Sequence, residues 1–396
     1  MEDPKERLKT SISTSELERR WKAAREIMKN QKIDFLIMRN DDEFLGGYVR
    51  WFSDIPARNS YPFTVIFPID DEMTFINCGG NPPAEPSPPK WAVRGVKRRL
   101  SAPYFASFHY TGTLDAELAL GVLKEKKRAT IGWVGRSFIP IPFYEYLKKH
   151  LVGSKFVDAT DQIDQLKAIK TPEEIELIKG TAELQDVVIE HVRKAIRPGR
   201  RDYEILAEAQ YSAILKGSER QLIQIGSCPP GTPTKWQHPH YQNRMIRDGD
   251  QIKVLIEVNG PGEYYTEIGR VFSLGKPSQE LQDAFGVAVE AQQRTLRMLK
   301  PRANLKEIWD ANNECLQKKG YAPETRLYAH GQGYDLVERP AIRYDESMVI
   351  KEGMNITVHP FVASTRVWAA VCDNYLVMEN GVGPCLHKTP KEIIVI

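Results

Sequence analysis

One pattern occurs twice in this sequence, and the repeat limits the folds that its second half can adopt. Arg197-Pro-Gly-Arg-Arg-Asp-Tyr-Glu-Ile recurs as Lys300-Pro-Arg-Ala-Asn-Leu-Lys-Glu-Ile, and Asp248-Gly-Asp recurs as Glu352-Gly-Met. Each copy of the first motif lies between two helical runs, and each copy of the second opens a β-rich run. A period of about 100 residues is too long for a solenoid. We therefore predict two halves of two helices and a β-hairpin each, related by a pseudo-twofold, with a site between them.

A hairpin in the first half carries two glutamates. The β-rich run Lys253–Glu257 is followed by the turn Asn259-Gly-Pro-Gly and then by the β-rich run Tyr264–Phe272, an order that is typical of a β-hairpin. Glu257 and Glu267 lie on opposite sides of the turn, so paired strands would bring them face to face. A strand glutamate is usually solvated, and on this segment alone that alternative stays open.

A helix-start signal marks the second domain. In Thr171-Pro-Glu-Glu, the threonine caps, the proline takes the first helical position and Glu174 completes a capping box. Upstream of it, helical runs alternate with short β-rich runs, which is typical of an α/β domain. We predict an α/β domain over residues 1–165 and an α+β domain over residues 166–396, each long enough to bury a core.

Composition and charge exclude several classes of protein. The net charge is only +3, and basic clusters such as Lys97-Arg-Arg are short, so we expect no nucleic-acid partner. No apolar run approaches the length that spans a membrane, and the N-terminus lacks the apolar core of a signal peptide. The five cysteines are scattered and odd in number, which favours a reducing cytoplasm over a disulfide framework.

Further motifs follow in the second half. They are His330-Gly-Gln-Gly, Glu338-Arg-Pro, Gly353-Met-Asn-Ile-Thr-Val-His359-Pro, and Cys372-Asp through Leu376-Val-Met-Glu-Asn-Gly. Their order, after Lys170-Thr-Pro-Glu-Glu and the two repeats, resembles the creatinase/prolidase/aminopeptidase P family. The resemblance covers essentially the whole chain. It implies a creatinase/prolidase-type N-terminal domain, a C-terminal pita-bread domain of the kind that methionine aminopeptidases share, and a homodimer.

The resemblance also implies where the family's metal ligands would fall. Its metal-dependent members hold two divalent ions with Asp, Asp, His, Glu and Glu. Those positions correspond here, in order, to Glu257 or its neighbour, Glu267, His330, His359 and Cys372. Four of the five residue types differ, and a two-metal site does not tolerate such a change. We therefore expect no ordinary dinuclear activity.

Creatinase is the family's precedent for a hydrolase without a metal. It cleaves a C–N bond with a histidine as general base and acid, and the corresponding residue here is His238. An imidazole, with a pKa of about 6.5, suits that task. Tyr264-Tyr-Thr also matches creatinase, but the creatinase glutamate on that strand corresponds to Gly269. Glu267 lies two residues earlier, on the same face of the strand, and could supply an equivalent carboxylate.

These observations lead to one main interpretation. We predict a cytoplasmic, homodimeric, creatinase-like hydrolase that cleaves a C–N bond of a small amidine, guanidine or amide and needs no cofactor. The predicted catalytic residues are His238, Glu267, His330 and His359. The predicted substrate-binding residues are Glu257, Tyr264, Glu338 and Arg270. For Arg270 a structural ion pair is the competing interpretation.

Two alternatives stay open. The chain could be a prolidase- or aminopeptidase P-like metallopeptidase with one divalent transition metal ion on Glu267, His330, His359 and Cys372, since two histidines and a carboxylate suit such an ion. It could also be a non-catalytic pita-bread binding protein, although burying several ionisable side chains without use is costly.

The first domain is expected to cap the site, as in the family, from the neighbouring subunit. Residues 80–104 are Pro-rich and lack periodicity, so we predict a long excursion or lid there. Trp51-Phe52 is the second candidate for that lid.

Overall fold

The computed structural model describes residues 7–79 and 87–396. Its contacts divide the chain into two compact units, one ending at Lys167 and the other running from Ala168 to Ile396. A division by contacts does not test independent folding, so the domain bounds 1–165 and 166–396 stay a prediction. Among the described residues, no helix is both long and apolar enough to cross a bilayer.

The first unit is a mixed α/β structure. Its elements are α1 (Thr14–Gln31), β1 (Phe35–Asn40), α2 (Tyr48–Ser53), β2 (Phe63–Pro68), β3 (Met73–Cys78), β4 (Val96–Ala102), α3 (Leu114–Leu123), β5 (Thr130–Trp133), α4 (Ile141–His150), β6 (Lys155–Asp158) and α5 (Thr160–Ala168). The strands form one sheet in the order β4-β3-β2-β1-β5-β6. Ile37 of β1 and Ile131 of β5 lie in the core that this sheet forms with Phe143 of α4. The predicted alternation of helices and strands is confirmed.

The predicted lid is wrong where the structure describes it. Residues 80–86 lie outside the described residues, but Val96–Ala102 is a strand that pairs in parallel with β3. Its basic residues hide the apolar alternation that would have predicted a strand. Trp51 and Phe52 are buried, and Phe52 packs edge-on against Phe67 with their ring centroids 4.9 Å apart. Both aromatic side chains belong to the interior of the first unit.

The second unit contains the repeated sequence. Its elements are α6 (Pro172–Ala195), α7 (Asp202–Leu215), β7 (Gln221–Cys228), β8 (Gln251–Asn259), β9 (Tyr265–Ser273), α8 (Gln279–Met298), α9 (Leu305–Lys318), β10 (Ala329–Gly331), β11 (Glu338–Ala341), β12 (Asn355–Val358), β13 (Phe361–Ala363), β14 (Trp368–Ala370), β15 (Asp373–Met378), β16 (Gly381–Cys385) and β17 (Ile393–Val395). Two helices precede the strands in each half, and the repeated Pro motifs join α6 to α7 and α8 to α9. The duplication is therefore confirmed at the level of element order.

Apart from β17, which pairs with β9, the strands of the two halves lie in separate sheets. The first sheet has the order β17-β9-β8-β7 and the second β11-β10-β12-β15-β16. Gly269 of β9 and Cys372, just before β15, exchange two backbone hydrogen bonds, with N···O distances of 3.1 and 3.3 Å. A Cβ atom on Gly269 would lie 2.9 Å from the Cys372 Cβ and 2.7 Å from the Trp236 ring. Only glycine allows this approach, which we call the seam.

The capping box that begins α6 is present as the sequence predicts. The Thr171 hydroxyl accepts a hydrogen bond from the Glu174 N–H at 3.4 Å, and the Thr171 N–H donates to Glu174 Oε2 at 2.8 Å. The other oxygen, Glu174 Oε1, accepts a hydrogen bond from the Tyr264 hydroxyl at 2.8 Å. The cap therefore ties the start of α6 to the hairpin that carries the glutamates.

We expect Thr171→Ala to lower the free energy of unfolding by about 1 kcal/mol, because it removes a helix-capping hydroxyl. Thr171→Ser keeps that hydroxyl and serves as the matched control. Chemical denaturation followed by circular dichroism measures both. Equal midpoints for Thr171→Ala and the wild type would show that the cap contributes nothing.

Candidate active site

The predicted hairpin is present, and it pairs the two glutamates. Strands β8 and β9 are antiparallel, and their register sets Glu257 directly opposite Glu267. Both residues are buried, with relative exposures of 6% and 4%. Neither glutamate is a solvated strand residue, so that alternative does not hold.

Glu267 lies where the two half-sheets meet. Its backbone N–H donates to Asn374 Oδ1 at 2.7 Å, which fixes β9 against β15. Its carboxylate Oε2 accepts a hydrogen bond from the Thr357 hydroxyl at 3.4 Å and lies 4.0 Å from His330 Nε2. The side chain from the first sheet therefore meets groups from the second.

Two histidines from the second half complete a compact group. His330 lies on β10, and its Nδ1 is 2.9 Å from the Gly331 carbonyl. A carbonyl only accepts, so Nδ1 carries the proton and Nε2 presents its lone pair. The His359 ring centroid is 5.1 Å from that of His330. Ligand atoms of Glu267, His330 and His359 all lie within 4.8 Å of one another.

Burial decides the charge of these groups. It raises the pKa of Glu267 to about 7, and burial together with the Glu267 charge raises the pKa of Glu257 well above its usual value. Burial lowers the pKa of His330 to about 4, and burial with His330 nearby lowers that of His359 well below its usual value. Both imidazoles are therefore neutral at neutral pH, and among the described residues no lysine or arginine forms an ion pair with either carboxylate.

This arrangement fits a divalent transition metal ion. Two neutral imidazoles and one carboxylate are a common donor set for such an ion. A bound cation would also offset the cost of two carboxylates buried side by side. Glu257 borders the donor set, but its Oε1 accepts a hydrogen bond from Gln332 Nε2 at 2.9 Å.

The group opens into a cavity of about 640 Å³. Glu257, Glu267, His330 and His359 all line it. The other lining residues are mostly apolar or aromatic, and they include Leu222, Trp236, Tyr241, Leu255, Leu327, Val337, Phe361 and Trp368. Such a cavity, with a few convergent polar groups, is typical of a small-molecule site.

His238 lines the same cavity, although it is not part of the buried group. Its side chain is exposed, and its Nδ1 accepts a hydrogen bond from the His240 N–H at 3.2 Å. The structure thus brings four predicted catalytic residues to one cavity, three of them in the buried group. The role of His238 as general base stays a prediction.

Arg270 was assigned to substrate binding, and this assignment is wrong. Its side chain is fully buried and forms an ion pair with Asp373 at 2.7 Å. All five N–H donors of its guanidinium are used by the Asp373 carboxylate and by the backbone carbonyls of Gly269, Cys372, Thr389 and Pro390. No donor is left for a ligand. The structural ion pair, which was the competing interpretation, is present.

Tyr264 and Glu338 were also predicted to bind substrate, and neither lines the cavity. The Tyr264 hydroxyl donates to Glu174, and its ring packs against Tyr334 with their centroids 4.4 Å apart. The Glu338 carboxylate accepts from Lys170 Nζ at 2.7 Å. Both side chains are occupied by contacts within the fold, so the substrate-binding assignment is wrong for them as well.

Cys372 lies close to the buried group but outside the donor set. Its Sγ is 3.3 Å from the Thr357 hydroxyl and 3.4 Å from the Glu267 backbone carbonyl. Burial also raises the pKa of its thiol well above the usual value. The thiol packs at the seam rather than facing the cavity.

Sequence reasoning missed several residues of the cavity. Trp236 and Trp368 pack edge to face with their ring centroids 5.0 Å apart, and Phe361 stacks on Trp368. Arg326 also lines the cavity. Isolated aromatic and basic residues carry no periodic signal. Gln332, which bonds Glu257, could have been found, since it lies inside the His330-Gly-Gln-Gly motif.

We expect Arg270→Gln to lower the free energy of unfolding by about 3–5 kcal/mol, because it leaves the buried Asp373 carboxylate without its partner charge. Arg297 is an exposed arginine on α8, and Arg297→Gln is the matched control, with an expected change near zero. Urea titration measures both variants. A loss for Arg270→Gln no larger than that of the control would contradict the structural role.

Comparison with known proteins identifies relatives of this architecture. The model of metallopeptidase family M24 matches residues 176–380. The Xaa-Pro dipeptidase of Pyrococcus furiosus is 28% identical over 273 residues, which are 68% of this chain and 76% of that protein. The uncharacterized hydrolase/peptidase y4tL of Sinorhizobium fredii is 26% identical over 399 residues, covering 96% of this chain and 97% of that one.

A solved structure gives the same fold over almost the whole chain. The X-Pro aminopeptidase from Thermotoga maritima superposes with a TM-score of 0.79 at 19% identity and covers 95% of this chain and 99% of that one. The two-domain α/β and pita-bread architecture is therefore confirmed, and so is the resemblance to the creatinase/prolidase/aminopeptidase P family. At the coarse level, a hydrolase that acts on carbon–nitrogen bonds is confirmed too. The creatinase branch and the homodimer are not.

The expectation of a hydrolase without a cofactor is wrong. The matched family is one of metallopeptidases, and the chain retains a compact donor set in Glu267, His330 and His359. The expectation treated each change of residue type at the family's five ligand positions as the loss of a metal ligand. Two of the replacements are themselves metal-binding side chains, and the fold keeps them converged with His330.

Proposed function

The chain belongs to metallopeptidase family M24, and we propose that it is a metal-dependent, prolidase-type peptidase that cleaves Xaa-Pro dipeptides. The observation that carries the proposal is the convergence of Glu267, His330 and His359 at the buried end of the cavity. The Pyrococcus furiosus relative, named a Xaa-Pro dipeptidase, supports the choice of substrate.

In this proposal, Glu267, His330 and His359 hold a divalent transition metal ion. Such an ion supplies a Lewis acid for the scissile carbonyl and lowers the pKa of a bound water. His330 is oriented for ligation, since Nδ1 is engaged by the Gly331 carbonyl and a ligating histidine is commonly fixed through its other ring nitrogen. Glu267 is held in place through its own backbone by Asn374.

Glu257 takes the role of proton carrier. It lies opposite Glu267 on the hairpin and lines the cavity, outside the donor set. Gln332 fixes one of its oxygens, so its carboxyl group has a defined orientation. A cation held by the donor set would lower the pKa of Glu257 again, and its ionised carboxylate could then accept the proton of the attacking water and return it to the leaving nitrogen.

The aromatic side of the cavity holds the substrate and excludes water. Trp236, Phe361 and Trp368 supply rigid apolar surface next to the donor set. Exclusion of water strengthens the electrostatic interactions of the few polar groups that remain. His238 and Tyr241 are exposed members of the same lining and are available for contacts with the substrate.

We expect the purified protein to hold about one divalent ion per chain, because Glu257 and Cys372 are occupied by other contacts in the fold and three donors with an open position suit a single ion. Elemental analysis measures this ratio. Hydrolysis of Ala-Pro and Phe-Pro dipeptides should stop on chelation and return when the metal is restored. Two ions per chain would contradict the single-ion site.

Loss of a residue that only supports a metal ligand can cost up to roughly 100-fold in metal affinity or activity. We expect His330→Gln, which removes a ligand itself, to abolish metal retention and to reduce turnover by more than that. The matched control is His191→Gln, on the exposed side of α6, where the imidazole pairs with Glu208. It should retain both metal and activity. Full activity of metal-free protein, or turnover of creatine-like compounds with no hydrolysis of dipeptides, would refute the proposed function.

A further inference from the structure

A pair of buried side-chain amides joins the two glutamates of the hairpin. Gln332 and Asn374 are both fully buried. Asn374 Oδ1 accepts a hydrogen bond from the Glu267 backbone N–H at 2.7 Å, and Asn374 Nδ2 donates to Gln332 Oε1 at 2.8 Å. Gln332 Nε2 then donates to Glu257 Oε1 at 2.9 Å. We call this chain of hydrogen bonds, from Glu267 through Asn374 and Gln332 to Glu257, the amide relay.

The two ends of the amide relay fix its direction. A backbone N–H only donates, so the side-chain oxygen of Asn374 must face Glu267. At the other end, Gln332 Nε2 also donates to the Leu336 carbonyl at 3.0 Å, and a carbonyl only accepts. Neither amide can be turned over without setting two donors or two acceptors against each other. The amide relay therefore presents an N–H, and not an oxygen, to Glu257.

Asn355 locks the amide relay in place. Its Oδ1 accepts the second proton of the Asn374 amide at 3.1 Å, and its Nδ2 donates to the Gln332 backbone carbonyl at 3.2 Å. The Gln332 backbone N–H donates to the Asn355 carbonyl at 3.0 Å. Every side-chain amide proton of Asn374 and Gln332 thus has an acceptor. A buried polar network that is satisfied in this way is rigid.

The amide relay engages only one oxygen of Glu257. Oε1 accepts the hydrogen bond from Gln332, whereas Oε2 bonds no described residue, and the side chain lines the cavity. A proton on Oε1 would face the Gln332 N–H, which would set two donors against each other. Oε2 is therefore the oxygen that can exchange a proton with a group in the cavity. Because the same relay bonds the Glu267 backbone, it also ties Glu257 to a member of the donor set.

We propose that Gln332 and Asn374 are positioning residues of this site, and that their amide relay makes Oε2 of Glu257 the oxygen that takes and returns the proton. The proposal rests on the proposed function, since it concerns the proton carrier of that reaction. The proton that Oε2 takes from the attacking water is the one that the leaving nitrogen receives when the C–N bond breaks. Gln332 and Asn374 touch neither the water nor the substrate, and they act through Glu257.

The test begins with Gln332→Met, which removes the hydrogen bond to Glu257 at nearly constant side-chain length. We expect kcat on Ala-Pro to fall at least about tenfold while KM changes less than about threefold, because a misplaced proton carrier loses part of its catalytic effect. Elemental analysis should find the same metal content as in the wild type, since Gln332 bonds no member of the donor set.

Gln185→Met is the matched control. The buried amide of Gln185 donates to the backbone carbonyls of Val258 and Thr266, on the same hairpin, and bonds neither glutamate. This substitution should lower stability, as the loss of any buried amide does, and it should leave kcat unchanged.

A double-mutant cycle separates positioning from a general structural effect. If Gln332 acts through Glu257, then Gln332→Met should change kcat less than about twofold in the Glu257→Gln background. Asn374→Thr should likewise add less than about twofold to the loss caused by Gln332→Met, since both break the same relay.

Three results would overturn the assignment. An equal loss of kcat in both backgrounds would mean that Gln332 does not act through Glu257. Loss of the metal from Gln332→Met would assign the amide relay to the donor set instead. A kcat of Gln332→Met within about twofold of the wild-type value would show that no positioning is needed.

Unfolding of the metal-free protein in urea tests the amide relay without turnover. The shifts in midpoint caused by Gln332→Met and Asn374→Thr should not add, whereas those of Gln332→Met and Gln185→Met should. If the first pair is coupled in this way but the wild type hydrolyses no dipeptide, the proposed function fails and the amide relay stands as the group that orients Glu257. If the wild type hydrolyses dipeptides and Gln332→Met leaves kcat unchanged, the positioning role fails and the peptidase stands.

Discussion

The close approach of two backbones at Gly269 and Cys372 is the constraint on which the candidate site depends. Two backbone hydrogen bonds cross the seam, and they form only because residue 269 has no side chain to hold the sheets apart. The seam brings Glu267, two residues away on β9, within reach of His330 and Thr357 on the second sheet. Donors that are far apart in sequence therefore converge through one backbone contact.

The buried ion pair of Arg270 and Asp373 reinforces that contact. Both residues lie next to the seam, and the same guanidinium bonds the carbonyls of Gly269 and Cys372 on its two sides. It also holds the carbonyls of Thr389 and Pro390. An arginine placed this way maintains the geometry of the site without touching a ligand. Arg270 is therefore absent from the cavity because its side chain holds the seam together.

The sequence predicted the architecture because periodic and local signals determine it. Helix caps such as Thr171, the turn at Asn259 and the repeated Pro motifs are each read within a few residues, and the facing of Glu257 and Glu267 follows from strand pairing alone. The sequence could not tell which polar side chains face the cavity. Arg270, Tyr264 and Glu338 are internal because their partners come from segments 90–168 residues away, and such pairings have no local signature. The strand at 96–102 was missed for a related reason, since its basic residues obscure the alternation.

The change in ligand type alters the charge that the site must balance. The family pattern described above places four carboxylates around two divalent ions, whereas this chain places two carboxylates, two neutral imidazoles and a protonated thiol at those positions. One divalent ion compensates two carboxylates, and a second would leave a buried excess of positive charge. The proposed single-ion site is therefore the electrostatic consequence of the changed donor types.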